Sequence, residues 1–132
     1  MDWAAWSLAV LVRQGLDIVT AEFSPATKDA VRARSGSVCE VCGAASAVTF
    51  HHRRSRSMGS TKRPESAAPS NCLHVCDFGG CHNLIEKHRN LATLLGWLVP
   101  STFNPASQPV LYRGDWARLG EDGSVEFERR AA

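Results

Sequence analysis

All five cysteines and all five histidines of this 132-residue chain lie between Cys39 and His88. Thiols and imidazoles gathered in one stretch have two common uses, disulfide scaffolds and metal sites. A disulfide scaffold calls for a secreted chain, and the N-terminus does not read that way. Its apolar stretch Trp3 to Val12 is preceded by Asp2 where positive charge belongs, and no small-x-small cleavage site follows. The stretch is also shorter than the roughly 20 residues a membrane span needs, so no membrane partner is expected. A reducing, cytoplasmic setting is therefore expected, and there paired cysteines read as metal ligands. Cys39-x2-Cys42 and Cys76-x4-Cys81 form two such pairs. Four thiolates at tetrahedral corners suit a structural Zn²⁺, and each must lose its proton to bind, which ties metal binding to folding. A single pair would weigh about evenly against buried reduced thiols, which pack as small hydrophobes. Two pairs in one small chain favour zinc. Cys72 is expected in the core, although strand alternation places it on the face of Cys76, where it could substitute as a ligand.

By its length the chain reads as one domain, at most one and a half, and 44% hydrophobic with 21% charged residues exclude disorder across the whole chain and a fibrous protein. A net charge of +2 says nothing about the partner, but the local pattern does. Between Val41 and Pro64 there is no acidic residue, while Arg53, Arg54, Arg56, Lys62 and Arg63 are basic. From Asp115 to Glu128 the balance turns acidic. One basic patch on a near-neutral body suits a polyanion bound at one place.

Local signals place the elements. Residues 1–20 read as an amphipathic helix weakened by Gly15. Ser24 and Pro25 start a helix that runs to about Arg34 and stops at Gly36. Residues 47–50 read as a strand leading into His51 and His52. Ser55 to Ser70 reads as a mobile loop. Leu73 to Val75 is a short second strand, and Gly79-Gly80 breaks the chain before a helix from about Cys81, with a kink near Asn90. Leu84, Ile85, Leu91, Leu94 and Leu95 form its apolar set. Pro100, Pro105 and Pro109 mark an irregular crossing. Strands are expected at 110–113, 116–119 and 125–128, with a turn at Glu121-Asp122-Gly123. The expected division is an N-terminal appendage over 1–22, a central domain over 23–100 and a C-terminal extension over 101–132.

The histidines argue for more than a zinc module. His51 and His52 are adjacent at a strand end, so their side chains point to opposite faces and serve different roles. One can bind a metal while the other faces a substrate. Asn71 opens the second strand, and His82 starts the helix beside Cys81. Strand, loop, strand and helix carrying His, Asn and His at those places make a ββα-metal layout.

Taken together, Cys39-Glu40-Val41-Cys42, Phe50 to Gly59, Ser70-Asn71-Cys72-Leu73, Gly80-Cys81-His82 and Gly96-Trp97-Leu98-Val99 resemble the HNH endonucleases. They look most like the small zinc-containing members encoded by bacteriophages and prophages. The resemblance covers about residues 23–113. It implies an α+β fold: a zinc-stabilised, treble-clef-like ββα-metal core with flanking helices and a C-terminal β-hairpin. It implies metal-dependent hydrolysis of DNA phosphodiester bonds, with His52 as general base, His51 and His82 on the catalytic metal, and Asn71 ordering the loop and helping to hold the base. It also implies structural zinc on Cys39, Cys42, Cys76 and Cys81, action alongside a phage packaging terminase, and a place in the host cytoplasm.

The chemistry suits those residue types. A neutral imidazole near pH 7 can take a proton from water, and a divalent metal can bind a phosphate oxygen and stabilise the departing 3′-oxygen. Mg²⁺, Mn²⁺, Ni²⁺ and Zn²⁺ all suit two imidazoles with open positions. Arg53, Arg54 and Arg56 are expected to neutralise flanking phosphates. Glu86, one turn after His82, reads as a surface carboxylate, with a ligand role as its alternative. His74 and His88 read as ordinary residues, His88 with a possible place on the DNA-facing side of the helix. The competing function is a non-catalytic zinc module that binds DNA or a protein partner.

Overall fold

Ser24 and Pro25 do what their chemistry dictates. In the computed structural model, which describes residues 22–54 and 64–128, helix α1 spans Pro25–Ser35. The Ser24 hydroxyl accepts the Thr27 N–H at 3.2 Å, and Pro25 occupies the first turn, where a missing N–H costs nothing. The helix ends at Gly36, whose φ of 63° lies in the left-handed region that a side chain disfavours. The helix expected over residues 1–20 lies outside the described residues.

Strands β1, Thr49–His52, and β2, Cys72–Val75, pair antiparallel, with His51 opposite Leu73 and His52 opposite Cys72. The expected helix at Cys81 is present but divided. Helix α2 covers Cys81–Lys87 and helix α3 covers Arg89–Leu94, with the break at His88 rather than at Asn90. The break changes which face meets the core. Ile85 and Ala92 are buried, whereas Leu91 and Leu94, expected on the apolar face, are 44% and 77% exposed.

The C-terminal segment forms a three-stranded antiparallel sheet rather than a simple hairpin. Its strands β3, Val110–Tyr112, β4, Asp115–Leu119, and β5, Val125–Phe127, lie in sequence order. Val110, Ala117 and Leu119 share one fully buried cluster with Leu73, Val75 and Ile85, so the extension helps to build the core of the central domain. Each of the Val, Leu and Ile side chains contributes about 1.5–3 kcal/mol by leaving water. A second, smaller cluster of Phe23, Val31 and Cys72, with Phe50 against it, joins α1 to the hairpin. The molecule is thus a small mixed α+β structure with two small sheets. No helix among the described residues is long and apolar enough to cross a membrane.

Buried arginines hold the irregular parts together. Arg53 is fully buried and donates to the carbonyls of Gly96, Ser70, Pro105 and Gln108 at 2.8–3.1 Å. Arg54, 2% exposed, donates to the Phe103 carbonyl and the Ser66 hydroxyl and lies 3.5 Å from the Glu65 carboxylate. Arg34 grips Glu40 through two bonds of 2.7 Å, both side chains being essentially inaccessible. Arg34 also donates to the carbonyls of Pro69 and Cys72. Residues 64–70, expected in a mobile loop, and Asn71, expected to open the second strand, instead form two 3₁₀ turns, Pro64–Ala67 and Pro69–Asn71, whose carbonyls and hydroxyls these arginines satisfy. The expectation that Arg53 and Arg54 present their charge to phosphates is therefore corrected. The proline-rich crossing leaves carbonyls without ladder partners, and guanidinium forks reach several of them at once. Arg56 lies outside the described residues. Arg53→Ala is expected to destabilise the fold by about 3 kcal/mol or more, because four carbonyls, three of them at buried bonds, each lose a donor. Denaturant unfolding measures this. A change within about 0.5 kcal/mol, typical of a surface residue, would refute the structural role.

Candidate functional site

The two cysteine pairs converge. Cys39, Cys42, Cys76 and Cys81 bring their sulfurs within 4.8 Å of one another, and Cys42 Sγ lies 4.0 Å from Cys76 Sγ. Tetrahedral thiolates around a metal at ~2.3 Å would stand about 3.8 Å apart, so the spacing suits a bound ion. The local backbone is shaped for it. The N–H groups of Val41 and Cys42 point at Cys39 Sγ at 3.4 and 3.5 Å, and a Cβ on Gly79 would stand 2.6 Å from Cys76 Sγ. Burial pushes the Cys39 and Cys81 thiols up, while the Ala44 backbone N–H pulls Cys42 down to about 6. Neutral buried thiols beside a thiolate-favouring one become a full thiolate set only with a cation among them. This is a candidate structural metal site. All five cysteines are free thiols, and Cys72 stands apart in the Phe23 cluster as a core residue.

A second cluster lies nearby. His51 on β1 and His82 and Glu86 on α2 each bring one ligand atom within 4.8 Å of the others. The spacing of His82 and Glu86 by four places both on one face of the helix. His51 is buried, and its Nε2 lies 3.0 Å from the Trp97 carbonyl. A carbonyl only accepts, so Nε2 carries the proton and Nδ1 keeps its lone pair. Burial lowers the His51 pKa to about 4, which leaves the ring neutral at pH 7. His82 Nδ1 is 3.2 Å from Asp77, and its Nε2 is 4.0 Å from Glu86. Two imidazoles and a carboxylate are a donor set that fits a divalent cation with positions left for water or phosphate.

His51, His52, His82, Glu86 and Arg89 help to line one cleft of about 460 Å³. His52 stacks on Phe23 at 3.9 Å between centroids, which sets its ring against the smaller buried cluster, with Nε2 buried, while its edge reaches the cleft. Asn71 is fully buried and does not line the cleft. Its Oδ1 accepts the Arg54 N–H at 2.7 Å, its Nδ2 donates to the Ser66 carbonyl, and its own carbonyl accepts the Arg53 N–H at 2.8 Å. It straps the backbone that follows His52. His74 stacks on Phe50 and meets the Ser35 hydroxyl at 2.9 Å, as an ordinary core histidine does. His88 is exposed at the α2–α3 break, outside the cluster.

Glu86 is an exposed carboxylate, as expected, and its spacing from His82 also brings it into the cluster, whereas Asp77 and Arg89 belong to no motif visible in the sequence. Arg89 lies 3.4 Å from Glu86 and borders both this cleft and a neighbouring depression of about 390 Å³. No family model, curated protein or solved structure matches the chain.

Proposed function

We propose that this chain is a metal-dependent DNA endonuclease of the HNH type, built on a ββα-metal core that Zn²⁺ on the four cysteines stabilises. The single observation that carries the reading is the cleft where His51, His82 and Glu86 converge beside His52. A purely structural zinc module has no use for a second donor cluster facing a cleft. A divalent ion there would supply Lewis-acid stabilisation of the phosphate and the departing oxygen. The protein's residues do the rest. His51 and His82 offer ring nitrogens as ligands, and Glu86 adds charge that favours a cation. His52 takes the proton from the attacking water as general base. Asn71 holds the backbone after His52, and Arg89 stands where it can meet a flanking phosphate. Action with a phage packaging terminase rests on the family resemblance alone.

The test is nicking of supercoiled plasmid by the full chain across Mg²⁺, Mn²⁺, Co²⁺, Ni²⁺ and Zn²⁺. Metal-dependent nicking that chelator abolishes is the expected result. Folded, zinc-loaded protein that cuts with none of these ions would replace the enzyme by the non-catalytic module.

A further inference from the structure

We infer that Asp77 is the positioning residue for His82, through which the cysteine knuckle sets the orientation of a ligand in the neighbouring cleft. The inference rests on reading His51, His82 and Glu86 as a divalent-metal site. Asp77 Oδ1 lies 3.2 Å from His82 Nδ1. A carboxylate accepts, so the proton of the neutral ring sits on Nδ1 and the Nε2 lone pair is turned to the side of Glu86. Ligating histidines commonly need such a partner on the far nitrogen to fix tautomer and ring angle.

Asp77 is itself held from several directions. Thr49 on β1 donates its hydroxyl to both carboxylate oxygens at 2.9 and 3.0 Å. The Asp77 carbonyl accepts the Gly80 N–H at 3.0 Å, and the Cys76 carbonyl accepts the His82 N–H at 3.1 Å. Cys76 and Cys81, both in the four-sulfur cluster, bracket this loop. An ion held by those sulfurs therefore fixes the loop that carries Asp77. The Asp77 and His82 side chains are 48% and 38% exposed, so their pairing contributes little to global stability. Its consequence falls on the direction of the imidazole.

The experiment measures Co²⁺ binding by calorimetry on full-length protein with its cysteine site zinc-loaded, with zinc per chain and melting temperature as controls. Asp77→Ala is expected to weaken Co²⁺ binding about 10- to 100-fold. Asp77→Asn, whose Oδ1 still accepts the Nδ1 proton, is expected to recover most of that loss. Zinc content and melting temperature should stay unchanged in both. Co²⁺ affinity unchanged in Asp77→Ala, or Asn as weak as Ala, would overturn the positioning role. Loss of zinc from Asp77→Asn would overturn it in favour of a purely structural one. A second measurement needs no variant: ¹⁵N NMR of the zinc-loaded wild type, free of Co²⁺ and at a pH where the His82 ring carries one proton, should show that proton on Nδ1. That single proton on Nε2 would sink the proposal even if Asp77→Ala does not fold. Wild type that binds no Co²⁺ yet shows the Nδ1 proton would leave Asp77 orienting His82 and would refute only the metal site.

Discussion

His52→Ala should slow plasmid nicking by a factor of about 10² to 10⁴, the usual cost of removing a general base. Zinc content, Co²⁺ affinity and DNA affinity should remain near wild type, because His52 belongs to neither donor cluster. The structure explains why His51 does not substitute. Its Nε2 is committed to the Trp97 carbonyl, which leaves Nδ1 as its ligand atom in the donor cluster with His82 and Glu86. Because His52 stacks on Phe23, some of the loss could come from disturbed packing. Phe23→Leu separates the effects: it removes the stacked ring and keeps the imidazole, and it should cut at a rate much closer to wild type. His82→Ala should also inactivate, but excess divalent metal should restore part of its activity and none of that of His52→Ala. If His52→Ala cuts as fast as wild type, another group is the base.

Replacing Cys76 or Cys81 by Ser should abolish the folded state. A structural zinc contributes roughly 10–16 kcal/mol of binding free energy at neutral pH. That equals or exceeds the roughly 5–15 kcal/mol by which domains of this kind are stable. The site is also woven into the core, since Cys39, Cys76 and Cys81 belong to the cluster that contains Leu73 and Ile85. Removing the ion would leave buried polar sulfurs and release two turns at once. Cys72→Ser is the internal control. It buries a hydroxyl beside Phe23 and Val31 and should cost about 1–3 kcal/mol while keeping one zinc per chain. Elemental analysis with circular dichroism reads both variants. Folded Cys76→Ser protein that carries no metal would show that the cysteine cluster is only packing.

Much of the local structure is legible in the residues because its causes are local. Ser24, Pro25 and Gly36 bound a helix through caps that operate within a few residues. The cysteine spacing announces two knuckles, and two knuckles in one small chain have one economical way to meet. The break between α2 and α3 is less legible. The apolar pattern runs through His88, and only packing decides that Ala92 rather than Leu91 or Leu94 faces inward.

The sequence by itself determined which atoms are available for metal and proton chemistry, and in what order along the chain they come. Cys39, Cys42, Cys76 and Cys81 were readable as one set, and His51, His52 and His82 as a second, because ligand chemistry restricts residue types and short spacings restrict geometry. Only the tertiary structure decided what the charged residues do. Arg53 and Arg54 look like a phosphate-binding patch when the chain is read linearly, yet they lie inside and donate to carbonyls up to 55 residues away in sequence. Glu86 and Asp77 are surface acids, and the fold brings one to each side of the His82 ring, at 4.0 Å from Nε2 and 3.2 Å from Nδ1. The physical reason is one of range. A cap or a metal knuckle is satisfied by neighbours in the chain, whereas a long charged side chain is satisfied by whatever carbonyl or imidazole the completed fold brings to its tip.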